Sequence, residues 1–122
     1  MSPALPSDAV AFFDGSPQGL AICNAVFNAI SGLGPISVRV SKSQIALRRR
    51  RGFAFLWRPG KYVKSTVPVV LSLALPHELG SHRFKQVAHP APSVWMHHLE
   101  LRDPGMVDVE VAQWLQEAFD AA

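Results

Sequence analysis

A helical spacing of apolar residues occupies the first part of the chain. Ser16 followed by Pro17 favours the first turn of a helix, since serine accepts a hydrogen bond from a free N–H and proline fits that turn. The pattern stops at Gly32. In between, apolar residues at steps of three and four line one face, namely Leu20, Cys23, Phe27 and Ile30. The sequence therefore predicts an N-terminal amphipathic helix.

From residue 35 onward the apolar period changes to two, which is typical of strands. Alternation predicts strands within residues 36–41, 44–48, 53–58, 67–75 and 94–101. Asp103 and Pro104 repeat the helix-start signal, and a wide apolar stripe extends from there to Phe119. We therefore predict a second helix at the end of the chain.

This order of elements predicts an α+β fold with an N-terminal helix, a four- to five-stranded, mostly antiparallel sheet and a C-terminal helix. Both helices are expected on one face of the sheet. We expect residues 1–122 to form a single domain, with residues 1–13 as a loosely ordered N-terminal arm. Residues 76–93 contain three prolines and one glycine and are the least regular segment.

Alternation along the strands also assigns side chains to two faces. We expect the rings of Phe53, Phe55 and Trp57 to point into the core beneath the helices. The opposite face then combines small residues with polar ones. Its arginines, histidine and acid are Arg39, Arg48, Arg58, His98 and Glu100.

Charge is distributed unevenly along a chain whose net charge is +3. Residues 1–38 contain two acids and no base, residues 39–64 contain nine bases and no acid, and residues 99–122 contain six acids against one base. A basic centre with an acidic end indicates either an anionic ligand at the centre or internal pairing of the two blocks.

Arginines that rise from a surface of small residues can bind a carboxylate or a phosphate, because a guanidinium group donates paired hydrogen bonds to such an anion. We therefore predict a binding module for an anionic small molecule or an acidic partner. The alternative is a partly solvated sheet face without a ligand. Its arginines would pair with Glu100 or cover the small residues with the aliphatic parts of their side chains. The predicted ligand-binding residues are Arg39, Lys42, Arg48, Arg58 and His98.

Residues 51–56, with the sequence RGFAFL, resemble the central-strand motif of the RNA-recognition motif family. The resemblance implies binding of single-stranded RNA or DNA, with Phe53 and Phe55 facing solvent to stack on bases. Phosphates would contact the basic turn formed by Arg49, Arg50 and Arg51. The sequence departs from the family at Arg58, where the motif has an aromatic residue.

Histidines provide the best candidate for catalysis, although their spacing matches no metal-binding motif. His77 and His82 are one position too far apart for an HExxH pair, and His97 and His98 point to opposite faces of a strand. A small enzyme that uses His98 as a general base together with Glu100 is a third hypothesis. We expect no metal and no cofactor, and an enzyme is not the favoured interpretation.

Cys23 is the single cysteine, so the chain contains no internal disulfide. The longest apolar stretch is far shorter than the roughly 20 residues that cross a membrane. We therefore expect a cytoplasmic protein without membrane contact. An exposed sheet edge leaves monomer and homodimer both open.

Three longer segments resemble a small bacterial family classed as a domain of unknown function. They are residues 40–44 (VSKSQ), 48–59 (RRRRGFAFLWRP) and 95–101 (WMHHLEL). The resemblance implies the same helix, sheet and helix layout and brings no assigned activity.

Overall fold

The computed structural model describes residues 5–61 and 63–122. Within them the chain forms three helices and six strands. The helices are α1 (Ser7–Phe12), α2 (Pro17–Ile30) and α3 (Val109–Ala121). The strands are β1 (Ser37–Val40), β2 (Ile45–Arg48), β3 (Gly52–Trp57), β4 (Val69–Leu75), β5 (Gln86–Ala91) and β6 (Val94–Leu101).

All six strands belong to one antiparallel sheet with the order β1-β2-β3-β4-β6-β5. The predicted α+β class is confirmed, and the sheet has six strands rather than four to five. The additional strand is β5, which lies in the segment expected to be irregular. It is an edge strand and mostly exposed, so it has no buried face to impose alternation on its sequence.

The two long helices begin where side chains cap them. Ser16 Oγ accepts a hydrogen bond from the Gly19 N–H at 3.1 Å, with Pro17 in the first turn as predicted. The C-terminal helix begins later than expected, because Asp108 caps it by accepting from the Val111 N–H at 3.0 Å. The Asp103-Pro104 signal starts a separate 3-10 turn, Pro104–Met106.

The N-terminal segment is more ordered than we expected. Residues 1–4 lie outside the described residues, but Ser7–Phe12 form α1 instead of a loose arm. Ala9, Phe12 and Phe13 are buried in the core, where Phe12 and Phe13 meet edge to face. Burial of these residues holds the segment against the domain.

The core lies between the helices and one face of the sheet. It joins buried side chains of α2 and α3, such as Phe27 and Leu115, to the sheet residues Leu47, Ala54 and Leu73. Both long helices therefore cover the same face, as predicted. No described helix is long and apolar enough to cross a membrane.

A β-bulge in β3 changes the predicted facing of the aromatic rings. Arg48 pairs with Gly52 while Leu47 pairs with Ala54, so Phe53 is an extra residue between the two pairs. Phe53 is 0% exposed and packs edge to face on Phe119, with ring centroids 5.7 Å apart.

Beyond the bulge the alternation is shifted by one residue. Ala54 and Leu56 are now the buried residues, and Phe55 and Trp57 lie half-buried on the opposite face. The prediction that all three rings point into the core is therefore correct for Phe53 and wrong for Phe55 and Trp57.

Candidate functional site

We call the sheet face opposite the helices the open face, and the strand register defines its central row. Paired residues of neighbouring antiparallel strands lie on the same side of a sheet. The row that crosses all six strands consists of Arg39, Ala46, Phe55, Ser72, His98 and Gln86. An arginine therefore occupies one end of the row and a histidine lies near the other, with an aromatic ring between them.

The open face contains a groove of about 440 Å³ beside this row. Its apolar side chains are Phe55, Trp57 and Met96, and its polar ones are Ser43, Gln44, Ser72 and His98. A smaller hollow of about 140 Å³ lies on the other side of Phe55 and Met96, which line both spaces. A volume of several hundred cubic ångströms is the usual size of a small-molecule site.

A chain of hydrogen bonds crosses the floor of the groove. Trp57 Nε1–H donates to Ser72 Oγ at 3.1 Å, and Ser72 Oγ lies 2.7 Å from His98 Nδ1. Ser72 is only 4% exposed, so its hydroxyl depends on these two partners. The chain fixes the indole and the imidazole relative to each other.

Burial lowers the pKa of His98 below the ordinary histidine value of 6.5, and electrostatic coupling to the adjacent His97 lowers it further. His98 is therefore neutral at physiological pH. Glu100 lies two positions away on the same strand and so shares the open face with His98.

The ring of Phe55 lies over the backbone of Gly52. A Cβ on that glycine would stand 2.6 Å from Phe55 Cζ, so the ring would have to move to make room for it. Arg48 Nη1 lies 3.7 Å from the same position, so the side chains of Phe55 and Arg48 both lie beside Gly52. The missing side chain of Gly52 provides the space that the Phe55 ring occupies.

Arg39 in β1 and Arg48 in β2 lie on the same sheet face as the groove, although neither lines it. Arg39 is exposed and Arg48 is half-buried. Neither guanidinium makes a hydrogen bond or ion pair within residues 5–61 and 63–122. Lys42 is exposed in the β1–β2 turn, next to Ser43 and Gln44, which line the groove.

Arg58 is separated from the other four predicted ligand-binding residues. It follows Trp57 and so lies on the opposite side of β3, where Nη1 donates to the main-chain oxygens of Phe12 and Asp14 at 3.1 Å each. Its assignment to the arginine-bearing face is therefore wrong, because the bulge shifts the alternation of β3. The structure places Arg58 as a link between β3 and the end of α1.

The basic turn between β2 and β3 contacts the end of α3. Arg49 donates to the main-chain oxygen of Phe119 at 3.1 Å and lies over its ring at 4.5 Å, and Arg51 donates to that of Ala121 at 2.9 Å. These carbonyls form the negative end of the helix. Part of the basic centre is therefore paired internally.

A second contact involves the acidic end of the chain. Arg83 Nη1 lies 3.1 Å from an Asp108 carboxylate oxygen and 2.9 Å from one of Glu110. These bonds raise the pKa of Arg83, and capping of α3 together with Arg83 lowers that of Asp108. Arg83 lies outside the basic block of residues 39–64, so the internal pairing of that block with the end of the chain rests on Arg49 and Arg51 and not on this ion pair.

His97 is a core histidine with both ring nitrogens satisfied. Its Nε2 accepts a hydrogen bond from the Leu79 N–H at 2.9 Å, and its Nδ1–H donates to the main-chain oxygen of Trp95 at 3.0 Å. His97 is 0% exposed, and its ring packs against Phe84. Its role is to fix the segment that leads into β5.

Two observations on the described part of the chain concern metal-ligating side chains and the single thiol. No group of three or more histidine, cysteine or carboxylate side chains within it is placed to hold a metal ion. Cys23 is buried in the core, and burial raises the pKa of its thiol to about 12. A thiol with so high a pKa is a poor nucleophile.

Ser72 and Trp57 are site residues that the sequence did not identify as such. Alternation placed Ser72 on the polar face, but only the β4–β6 register reveals that it lies opposite His98. Trp57 was assigned to the core because the bulge leaves no clear signal in the sequence beyond Gly52 itself. A glycine inside a strand is the cue that could have indicated the bulge.

Comparisons with known proteins assign the chain to a family without assigning an activity. No curated protein and no solved structure matches the sequence. Residues 9–122 match the family described as Domain of unknown function (DUF5655), and the chain belongs to that family.

Proposed function

We propose that the protein is a binding module whose open face takes an anionic small molecule. The observation that carries the proposal is the position of Arg39 and Arg48. Both lie on the face that contains the groove, and their guanidinium groups have no partner within residues 5–61 and 63–122. Guanidinium groups of this kind pair with carboxylates and phosphates through short, charge-assisted hydrogen bonds.

The groove supports a ligand that also has an apolar part. Phe55, Trp57 and Met96 contribute apolar surface next to the arginines, whereas the polar side chains are few. A ligand that places an apolar group in the groove and its charge towards β1 and β2 would satisfy both parts of the site. Lys42 adds positive charge at the same side of the sheet.

The test uses 8-anilino-1-naphthalenesulfonate, a fluorescent probe that combines aromatic rings with one negative charge. We expect the folded protein to enhance its fluorescence and the Arg39→Gln/Arg48→Gln variant to bind it about 10- to 100-fold more weakly. Arg50→Gln is the matched control, because it removes an equivalent charge from the basic turn. Equal binding by the double variant and the natural sequence would remove the proposal, and melting curves check that each variant is folded.

Single-stranded RNA or DNA binding is a second candidate, favoured by one observation. Phe55 lies on the open face, as the resemblance to the RNA-recognition motif requires, and Ala54 and Leu56 face inward. Against it, Phe53 is buried and Arg49 and Arg51 are engaged by α3. Retardation of a uridine or thymidine oligonucleotide at low salt, with affinity falling steeply as salt rises, would favour this candidate.

The remaining expectations stay predictions. The groove leaves room beside His98, as the hypothesis of an enzyme using His98 and Glu100 requires. We also retain the bacterial origin suggested by the family resemblance, a cytoplasmic location, and a monomeric or homodimeric state. Light scattering separates the last two possibilities.

A further inference from the structure

We infer that the ligand is a flat aromatic acid, which stacks on Trp57 and accepts a hydrogen bond from His98 Nε2. This inference rests on the proposed function, because it names the class of anion that the open face takes. It follows from the hydrogen-bond chain on the groove floor, from the half-buried rings that line the groove and from the positive charge on the same sheet face.

The first step is the direction of the hydrogen bonds. The indole Nε1–H of Trp57 is only a donor, so Ser72 Oγ accepts from it. The hydroxyl hydrogen of Ser72 then needs an acceptor, and His98 Nδ1 at 2.7 Å is the nitrogen within reach. A neutral His98 that accepts at Nδ1 carries its proton at Nε2.

The second step concerns what Nε2 can contact. Within residues 5–61 and 63–122, His98 makes no side-chain hydrogen bond other than that of Nδ1. The imidazole lines the groove, so Nε2–H is a donor available to a bound molecule. A carboxylate, phosphate or ring nitrogen on the ligand would accept from it.

The third step concerns ring shape. The bond to Ser72 fixes the indole of Trp57, which is half-buried and lines the groove together with Phe55 and Met96. A rigid aromatic surface favours a flat partner, because offset stacking adds attraction beyond the burial of apolar area. An aliphatic group of equal size would gain the burial alone.

The experiment compares two acids with the same carbon skeleton, 2-naphthoate and decahydro-2-naphthoate, by calorimetric titration of the full chain. We expect the aromatic acid to bind about 3- to 10-fold more tightly. Trp57→Leu should remove this preference, and Trp57→Phe should restore part of it. The leucine variant keeps the groove apolar, so that only the aromatic surface is lost. Its melting curve shows whether the variant is folded and thereby separates a fold defect from loss of stacking.

A spectroscopic readout tests the role of His98 independently of affinity. In histidine-selective ¹H–¹⁵N spectra, we expect His98 to be the Nε2–H tautomer and its Nε2 signal to shift when 2-naphthoate is added. Ser72→Ala should allow the tautomers to mix. A His98 ring protonated at Nδ1 in the natural sequence would overturn the inference.

The two proposals fail in different ways. If both acids bind equally and both depend on Arg39 and Arg48, the open face binds anions but does not select flat rings, and only this inference is wrong. If neither acid binds and 8-anilino-1-naphthalenesulfonate does not bind either, the proposed function is wrong as well.

Discussion

Individual residues on the two sides of β6 perform different tasks. His97 and His98 are adjacent, and the pleat of the strand sends one into the core and the other onto the open face. His97 satisfies both ring nitrogens with main-chain groups, whereas His98 uses one nitrogen for Ser72. The same residue type is thus structural at one position and a candidate for binding at the next.

The burial of His97 makes stability depend on pH. Burial lowers its folded pKa below the ordinary value of 6.5, as it does for His98. The unfolded chain therefore takes up protons first as the pH falls through 6.5. The stabilising contribution is fully present above that pH and is lost below it.

We accordingly expect the free energy of unfolding, measured in urea, to be smaller at about pH 5.5 than at about pH 7.5. His97→Gln should reduce this difference, because it removes one of the two histidines whose pKa is lowered by burial. A free energy of unfolding that stays constant across this interval would contradict the assignment of a neutral, buried His97.

Gly52 is a second residue whose role can be tested alone. Gly52→Ala places a methyl group against the Phe55 ring and should turn that ring towards the groove. We expect a loss of stability of about 1 kcal/mol and weaker binding of 2-naphthoate. Gly80→Ala is the matched control, because a Cβ there meets nothing within 4 Å. An unchanged affinity for 2-naphthoate in Gly52→Ala would show that the position of the Phe55 ring over Gly52 does not affect binding.

At the scale of elements, the basic turn and α3 stabilise each other. The last turn of α3 contains no basic residue of its own, and Arg49 and Arg51 reach its final carbonyls from the β2–β3 turn. Cations at this end of a helix are stabilising. The turn that resembles a phosphate-binding element therefore has a structural role in this chain.

Replacing both arginines tests that role. We expect Arg49→Gln/Arg51→Gln to lower the free energy of unfolding by about 1–2 kcal/mol, since two charge-assisted bonds to the helix end are lost. Arg50→Gln, from the same turn, should have little effect on stability. If the double variant is as stable as the natural sequence and instead loses affinity for oligonucleotides, the turn serves nucleic-acid binding.

The elements also show how far the sequence predicts this fold. Side-chain caps and periodic apolar residues predict α2 and the strands that pack beneath it, because burial imposes their patterns. Strand β5 and the bulge at Phe53 were not predicted, and each omission has a physical reason. An exposed edge strand needs no alternation, and a single extra residue reverses the facing of every ring that follows it. The structure places Arg39, Arg48 and His98 on one sheet face, as predicted, whereas Phe55 and Trp57 were misplaced and Arg58 was wrongly assigned to that face.

At the scale of the whole molecule, the sheet separates a closed side from an open one. The helices cover the core on the closed side. Arg49 and Arg51 donate hydrogen bonds to the last turn of α3, and Arg83 forms an ion pair at its first turn. Arg39 and Arg48 remain on the other side, on the sheet face that contains the groove. Some of the arginines are thus paired within the protein, whereas Arg39 and Arg48 lie on the open face. The proposed function depends on the second group.

The most direct test of this account is to map the binding of 2-naphthoate on the full chain by ¹H–¹⁵N spectra of the main-chain amides. The account predicts that the amide signals of Ala46, Phe55, Ser72 and His98, in the central row of the open face, shift when 2-naphthoate is added. It predicts no shift for the amide signals of α3. Shifts confined to α3 or to residues 49–51, or no shifts up to the solubility limit of the probe, would contradict it.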